Sequence, residues 1–152
     1  MAELIGQERR TESHQLINEL VHTRNEMLSL FTRLAAQRPF SNEDDSISQL
    51  VEAFCQALID YTADAHFRLY RFIDERRERR RNIIQVANSV YPRIMDTTQA
   101  ILDFNDRYES RRRCADVDGL SQDLSQLGEH LAERIELEDR VIEAFTRPRS
   151  RG

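Results

Sequence analysis

Ile47-Ser48-Gln49-Leu50-Val51-Glu52-Ala53-Phe54-Cys55-Gln56-Ala57-Leu58-Ile59-Asp60-Tyr61-Thr62-Ala63-Asp64-Ala65 decides the fold. Ile47, Val51, Phe54, Leu58, Tyr61 and Ala65, continued by Leu69 and Phe72, recur at steps of three and four residues. That spacing keeps side chains on one face of an α-helix and scatters them over both faces of a strand. Upstream, Ser41-Asn42-Glu43-Asp44-Asp45-Ser46 offers polar residues that can cap the first free backbone amides of such a helix. Downstream, the stripe fades after about Asp74 into Arg76-Arg77-Glu78-Arg79-Arg80-Arg81, which has no apolar side chain to bury.

Three further segments of the same kind flank it. Leu16, Leu20, Met27, Phe31 and Leu34 predict a first helix from about Leu4 to Gln37, ended by Arg38-Pro39 because proline drives its predecessor out of helical geometry. Ile84, Ala87, Tyr91, Ile94, Thr98, Ile101 and Leu102 predict the inward face of a third, from about Asn82 to Tyr108. Pro92 is expected to kink it or split off its first turns. After a loop over Arg111–Gly119, Leu120, Leu124, Leu127, Leu131, Ile135, Ile142 and Phe145 mark a fourth, which Pro148 ends. No strand pattern or internal repeat competes. The fold class expected is all-α, an antiparallel up-down four-helix bundle with long helices.

The 152 residues fit one helical-bundle domain with a flexible tail from about residue 147. A chain that is 39% hydrophobic with this periodicity is not disordered, and only 4 Gly and 3 Pro argue against a many-stranded fold. No apolar run approaches the roughly 18 residues of a membrane span, and Met1–Arg10 lacks the apolar core of a signal peptide, so a cytoplasmic protein is expected. Cys55 and Cys114 stand far apart in no metal-like spacing and read as free thiols.

Charge is uneven within a net −5. Glu43, Asp44, Asp45, Glu52, Asp60 and Asp64 lie between Arg38 and Arg68 with no basic residue among them. Glu129–Glu143 holds six acids against Arg134 and Arg140. Seven arginines crowd Arg68–Arg81, but no aromatic residues are interleaved through Arg76–Arg81 for base stacking, which disfavours direct binding of nucleic acid.

The chemistry of catalysis is missing: there is no glycine-rich phosphate loop, no nucleophile elbow and no HExxH. Glu19-Leu20-Val21-His22 alone has the Glu-x-x-His spacing that a di-iron bundle needs twice, so neither a metal nor another cofactor is expected. Two polar residues are oddly placed. Glu138 falls on the inward stripe of the fourth helix, and His66 borders that of the second, one turn from Tyr70. A buried carboxylate needs a partner, so His66, Tyr70 and Glu138 read either as a satisfied internal pair or as a polar pocket that senses a ligand or metal.

Phe54-Cys55-Gln56-Ala57-Leu58-Ile59-Asp60-Tyr61, followed by Ala65-His66-Phe67 and Tyr70, resembles a block of the Rsd/AlgQ family of bacterial anti-sigma regulators. Leu127-Gly128-Glu129-His130-Leu131-Ala132-Glu133-Arg134 with Leu137-Glu138-Asp139 resembles a second, and Tyr91-Pro92 stands where the family often has Trp-Pro. The resemblance spans roughly Leu16 to Ile142. It implies a four-helix bundle without enzymatic activity that binds region 4 of the primary sigma factor; a monomer or weak dimer is expected because four amphipathic stripes can bury one another. Covering region 4, a basic helix-turn-helix element, would block both −35 promoter recognition and docking on core RNA polymerase. The acidic stretches complement such a partner. Asp60, Asp64, Phe67, Arg71, Glu133 and Asp139 are the expected partner-binding residues, with Phe67 an exposed aromatic anchor beside two acids. The alternative is a ligand- or metal-sensing bundle built on His66 and Glu138.

Overall fold

The computed structural model describes residues 2–41, 45–70, 81–109 and 119–146, with side chains for 14–41, 46–68, 81–109 and 119–145. Four α-helices carry nearly all of them: α1 Ala2–Ala35, α2 Asp45–Asp64, α3 Arg81–Tyr108 and α4 Leu120–Thr146. Among the described residues there is no strand. The all-α four-helix bundle expected from periodicity is what forms.

Each helix begins and ends where its sequence dictates. α1 closes through tightened hydrogen bonds from Gln37 N–H to Leu34 O (3.0 Å) and from Arg38 N–H to Ala35 O (3.3 Å), just before Pro39. α2 runs directly into a π-helical turn, Ala65–Tyr70, that carries His66 and Phe67. α3 passes through Pro92 as one helix, so its first turns are not split off. At the start of α4, Asp123 accepts hydrogen bonds from Arg107 Nη1 (2.7 Å) and from the Tyr108 hydroxyl, tying that end to the last turn of α3. An acid in a first turn also opposes the positive end of the helix dipole.

α1 packs mainly on α2, and α3 mainly on α4. The two pairs then close over one core. Ile17, Leu20, Met27 and Leu34 of α1 meet Ile47, Val51, Phe54, Leu58, Tyr61 and Ala65. A chain of rings runs through that core from Phe31 to Phe54 (5.8 Å between centroids), Phe104 (5.9 Å) and Tyr108 (4.7 Å). Such contacts add about 0.5–1.5 kcal/mol each to what burial alone contributes. Gly128 of α4 sits where a Cβ would stand 3.0 Å from Phe31 Cζ, so the absent side chain is what admits that ring. Cys55 is a buried thiol within α2, and Cys114 lies outside the described residues. Among the described residues no helix is long and apolar enough to cross a membrane.

Two inward faces differ from the expected ones. In α3 the buried residues are Ile83, Ala87, Val90, Ile94, Thr97, Ile101, Phe104 and Tyr108, an unbroken four-three alternation. Ile84, Tyr91, Thr98 and Leu102 flank this stripe instead of composing it. In α4 the face runs through Leu120, Leu124, Leu127, Leu131, Arg134, Glu138, Val141 and Phe145, with Arg134 in the place assigned to Ile135 and Val141 in that assigned to Ile142. Strict alternation wins because the buried seam must stay on the side that faces the neighbouring helices, whatever its residues' polarity.

Candidate functional site

The residues singled out for partner binding occupy two separate places. Asp60, Asp64 and Phe67 lie on α2 and the π turn that extends it; Glu133 and Asp139 lie on α4. Arg71 falls outside the described residues, as do residues 76–80 of the arginine run. Most of these acids are already engaged. Asp64 pairs with Arg68 Nε (3.1 Å), and the same arginine also reaches Glu19 of α1. Glu133 pairs with Arg93 of α3 (2.8 Å), and Asp139 with Arg24 of α1 (2.8 Å). Asp60 differs: it is exposed, accepts a hydrogen bond from Gln56 Nε2 (3.1 Å), and has no ion-pair partner among the described residues. It therefore meets an incoming cation without breaking an internal pair.

The internal pocket has other members than those expected. Glu138 is fully buried, as anticipated, but His66 is exposed, its ring edge-on to Phe67 (5.0 Å). The side chain of Tyr70 lies outside the described residues. The partner of Glu138 is Tyr61, whose hydroxyl donates to Oε1. Arg134 Nε stands 3.2 Å from Oε2, and Arg24 Nη1 lies 3.7 Å from Oε1. The His66–Glu138 pair does not form, because one helical turn back along α2 an inward-facing phenol supplies the donor the carboxylate needs.

Arg134 is the residue that reading for apolar periodicity missed. Its side chain is 1% exposed. Nη1 donates to Thr98 Oγ1 (2.7 Å) and Thr97 Oγ1 (3.1 Å) on α3, and the guanidinium lies over the Tyr61 ring, 5.5 Å from its centroid. Both threonine hydroxyls donate to Ile94 O, so their oxygens face the arginine as acceptors. Burial pushes the Glu138 carboxyl above its ordinary range, while Arg134, the Tyr61 hydroxyl and Arg24 pull it partly back. Burial, with the Glu138 charge beside it, likewise raises the Tyr61 hydroxyl well above its usual value. The charges of the cluster are compensated from within, which is the property of a structural device, although Arg134 Nε and Glu138 Oε2 meet as an ion pair without hydrogen-bond geometry.

The outside of the same region is apolar. Phe67 (59% exposed), Met95 (44%), Leu102 (40%) and Tyr91 (38%) are the large hydrophobic side chains that the described surface leaves in water. All four line one groove of about 290 Å³ between α2 with its π turn and α3. Ile59, Thr62, Ala63 and His66 supply the rest of the wall formed by α2 and its π turn, so His66 faces the groove and not the buried cluster, and Arg134 closes the floor. Tyr91, Met95, Thr98 and Leu102 form a second stripe on α3, one residue round from the buried one. Asp60 precedes Ala63 by three residues and so shares its side of α2, exposed and outside the groove's lining. A helix with two adjacent apolar stripes, only one of them buried, is the signal by which sequence alone could have found the groove. Among the described residues no group of His, Cys, Asp and Glu is placed to hold a metal ion.

Comparison with known proteins places this geometry. A family model described as Regulator of RNA polymerase sigma(70) subunit, Rsd/AlgQ, matches residues 4–146. A protein named Regulator of sigma D from Yersinia enterocolitica is 31% identical over 134 residues, 86% of this chain and 80% of its own. One of the same name from Enterobacter sp. (strain 638) is 32% identical over 134 residues, covering 86% and 79%. Another from Salmonella arizonae is 30% identical over 134 residues, covering 86% and 81%. No solved structure gives a significant match.

Proposed function

Because the chain belongs to the Rsd/AlgQ family of regulators of the RNA polymerase sigma(70) subunit, we propose that it binds region 4 of its primary sigma factor, one to one, through the α2–α3 groove. Regulation of a sigma factor is the family's role, and it is exercised by binding, not by catalysis. Occupying region 4 denies it to the −35 promoter element and to core polymerase, which lowers the pool of housekeeping holoenzyme. A protein with that target works in the cytoplasm and has no need to touch DNA.

The observation that carries this reading is the convergence of all four large hydrophobic side chains exposed on the described surface on one groove, with the exposed Asp60 on the same side of α2 as Ala63 and Phe67. Isolated surface hydrophobes are ordinary, but a contiguous apolar patch with a polar rim is the usual anatomy of a protein interface. Region 4 must hold phosphate, so its surface is basic, and a carboxylate with no ion-pair partner among the described residues, beside an aromatic anchor, gives it both steering and a hold. Asp64, Glu133 and Asp139, each in an internal ion pair, add to the field more than to the contact.

Titration calorimetry of the full chain with an isolated region 4 fragment tests the proposal. The expected result is a saturable one-to-one isotherm in the absence of nucleotide or metal. No binding at tens of micromolar fragment, with both partners folded, overturns it.

A further inference from the structure

The polar cluster and the groove share two residues, Thr98 and Arg134, which are hydrogen-bonded to each other. Arg134 belongs to the groove's floor and to the buried network that contains Tyr61 and Glu138. We infer that Arg134 is a positioning residue: it ties the Thr97-Thr98 turn of α3 to Tyr61 of α2 and Glu138 of α4, and so sets the distance between the two groove walls. This rests on the groove described above but concerns its shape, whatever docks there.

The geometry of packing is the first ground. α1 and α2 form one closely packed pair, α3 and α4 the other, and the groove lies on the thinner seam where α2 meets α3. Apolar contacts across a seam tolerate small sliding movements better than polar ones do, since they have no preferred direction. Hydrogen bonds to charged groups are short and directional. The cluster draws Arg24 from α1, Tyr61 from α2, Thr97 and Thr98 from α3, and Arg134 and Glu138 from α4. All four helices are thus registered at one level, directly beneath the groove.

The second ground is where each end of Arg134 is fixed. On one side Nη1 meets two hydroxyls and, at 3.4 Å, the Ile94 carbonyl, all within the α3 turn that presents Met95 and Thr98 to the groove. On the other, Nε forms an ion pair with Glu138 (3.2 Å, without hydrogen-bond geometry) and the guanidinium lies over the Tyr61 ring; the Tyr61 hydroxyl holds Glu138 in turn, and Tyr61 adjoins the groove residue Thr62. One planar, rigid guanidinium spans both walls. A lysine keeps the charge but offers no such fork. Glu138 itself does not line the groove, so a change there reaches Met95 only through Arg134 and its partners.

Methionine methyl NMR on the full chain can read this directly. The chain has three methionines, of which Met27 is buried in the core and Met95 stands in the groove. Arg134→Lys and the isosteric Glu138→Gln are the variants, each first shown helical and cooperative in unfolding. Both are expected to move the Met95 methyl signal and to weaken binding of the region 4 fragment by about threefold or more, the range for mutations that act through a packed network. Folded variants whose Met95 signal stays at its wild-type position overturn the inference. A displaced Met95 signal with unchanged affinity for region 4 supports the brace and counts against the groove as the sigma site. Should Arg134→Lys fail to fold, Glu138→Gln and the buried Thr97→Val, neither of which lines the groove, carry the same test.

Discussion

Two regions of this bundle break the rule of apolar inside and polar outside, and they break it in opposite directions. Beneath α3, Glu138 and Arg134 are charged and wholly buried; above it, Phe67, Tyr91, Met95 and Leu102 are apolar and face water. The buried charges have their complement within the chain: phenol, guanidinium, hydroxyls and a second arginine. The exposed hydrophobes are left open to water on the described surface. An exception satisfied internally belongs to structure, while an exception left open asks for something outside the molecule. Reading both as one pocket, as the sequence invites through His66 and Glu138, merges two devices that lie back to back.

If that division is right, damage to each region has a different signature. The largest effect is expected from Glu138→Ala, which leaves a buried guanidinium and a buried phenol without their acceptor. It should cost about 3–5 kcal/mol of stability, measured by urea unfolding. A cost below 1 kcal/mol would mean that the cluster is not the closed network described here. Phe67→Ala should leave stability nearly unchanged, since its ring is mostly in water, yet weaken the region 4 complex by about 2 kcal/mol, some thirtyfold. Loss of stability without loss of affinity would reverse the two assignments.

A pH series sharpens the contrast further. Burial raises the Glu138 carboxyl, so the folded state holds its proton more tightly than the unfolded chain does. That contribution is complete below the unfolded value of about 4.3 and is lost as pH rises through the folded one. Wild type should therefore lose stability relative to Glu138→Gln on going from pH 4 upward, by about 1.4 kcal/mol per unit of displacement. Parallel profiles would show that Glu138 does not titrate with folding. The smallest effect belongs to Asp60→Asn: below about 1 kcal/mol in affinity, as for an exposed pair, with a flatter salt dependence of association and no change in stability.

The second helix was readable because its buried stripe is apolar without interruption: Ile47, Val51, Phe54, Leu58, Tyr61 and Ala65 are all buried. α3 was harder for a physical reason. It carries two apolar stripes side by side, and hydropathy does not say which of them has a neighbouring helix to cover it. Tyr91 and Leu102 belong to the open stripe, Val90 and Ile101 to the closed one. In α4 the obstacle was polarity itself. Continuing the four-three alternation from Leu131 lands on Arg134 and Glu138, but arginine is so seldom fully buried that Ile135 looks the better core residue. The acid was noticed because it interrupts the stripe. Its partner was misassigned because tyrosine on an inward face passes for a hydrophobe, and Tyr61 was already accounted for as core. Phe67 and Asp60 stood out correctly as exposed, since both lie off the α2 stripe.

The four-helix polar cluster also constrains how this chain can change over generations. Losing Glu138 alone strands Arg134, and losing Arg134 alone strands Glu138, so either single step passes through a destabilised intermediate. Tyr61 is bound to the same pair through its hydroxyl and ring, and Arg24 divides its charge between Glu138 and Asp139. Substitutions at these positions are therefore strongly non-additive. A viable change therefore has to exchange the set together, whereas the open groove beside it can follow whatever surface its partner presents.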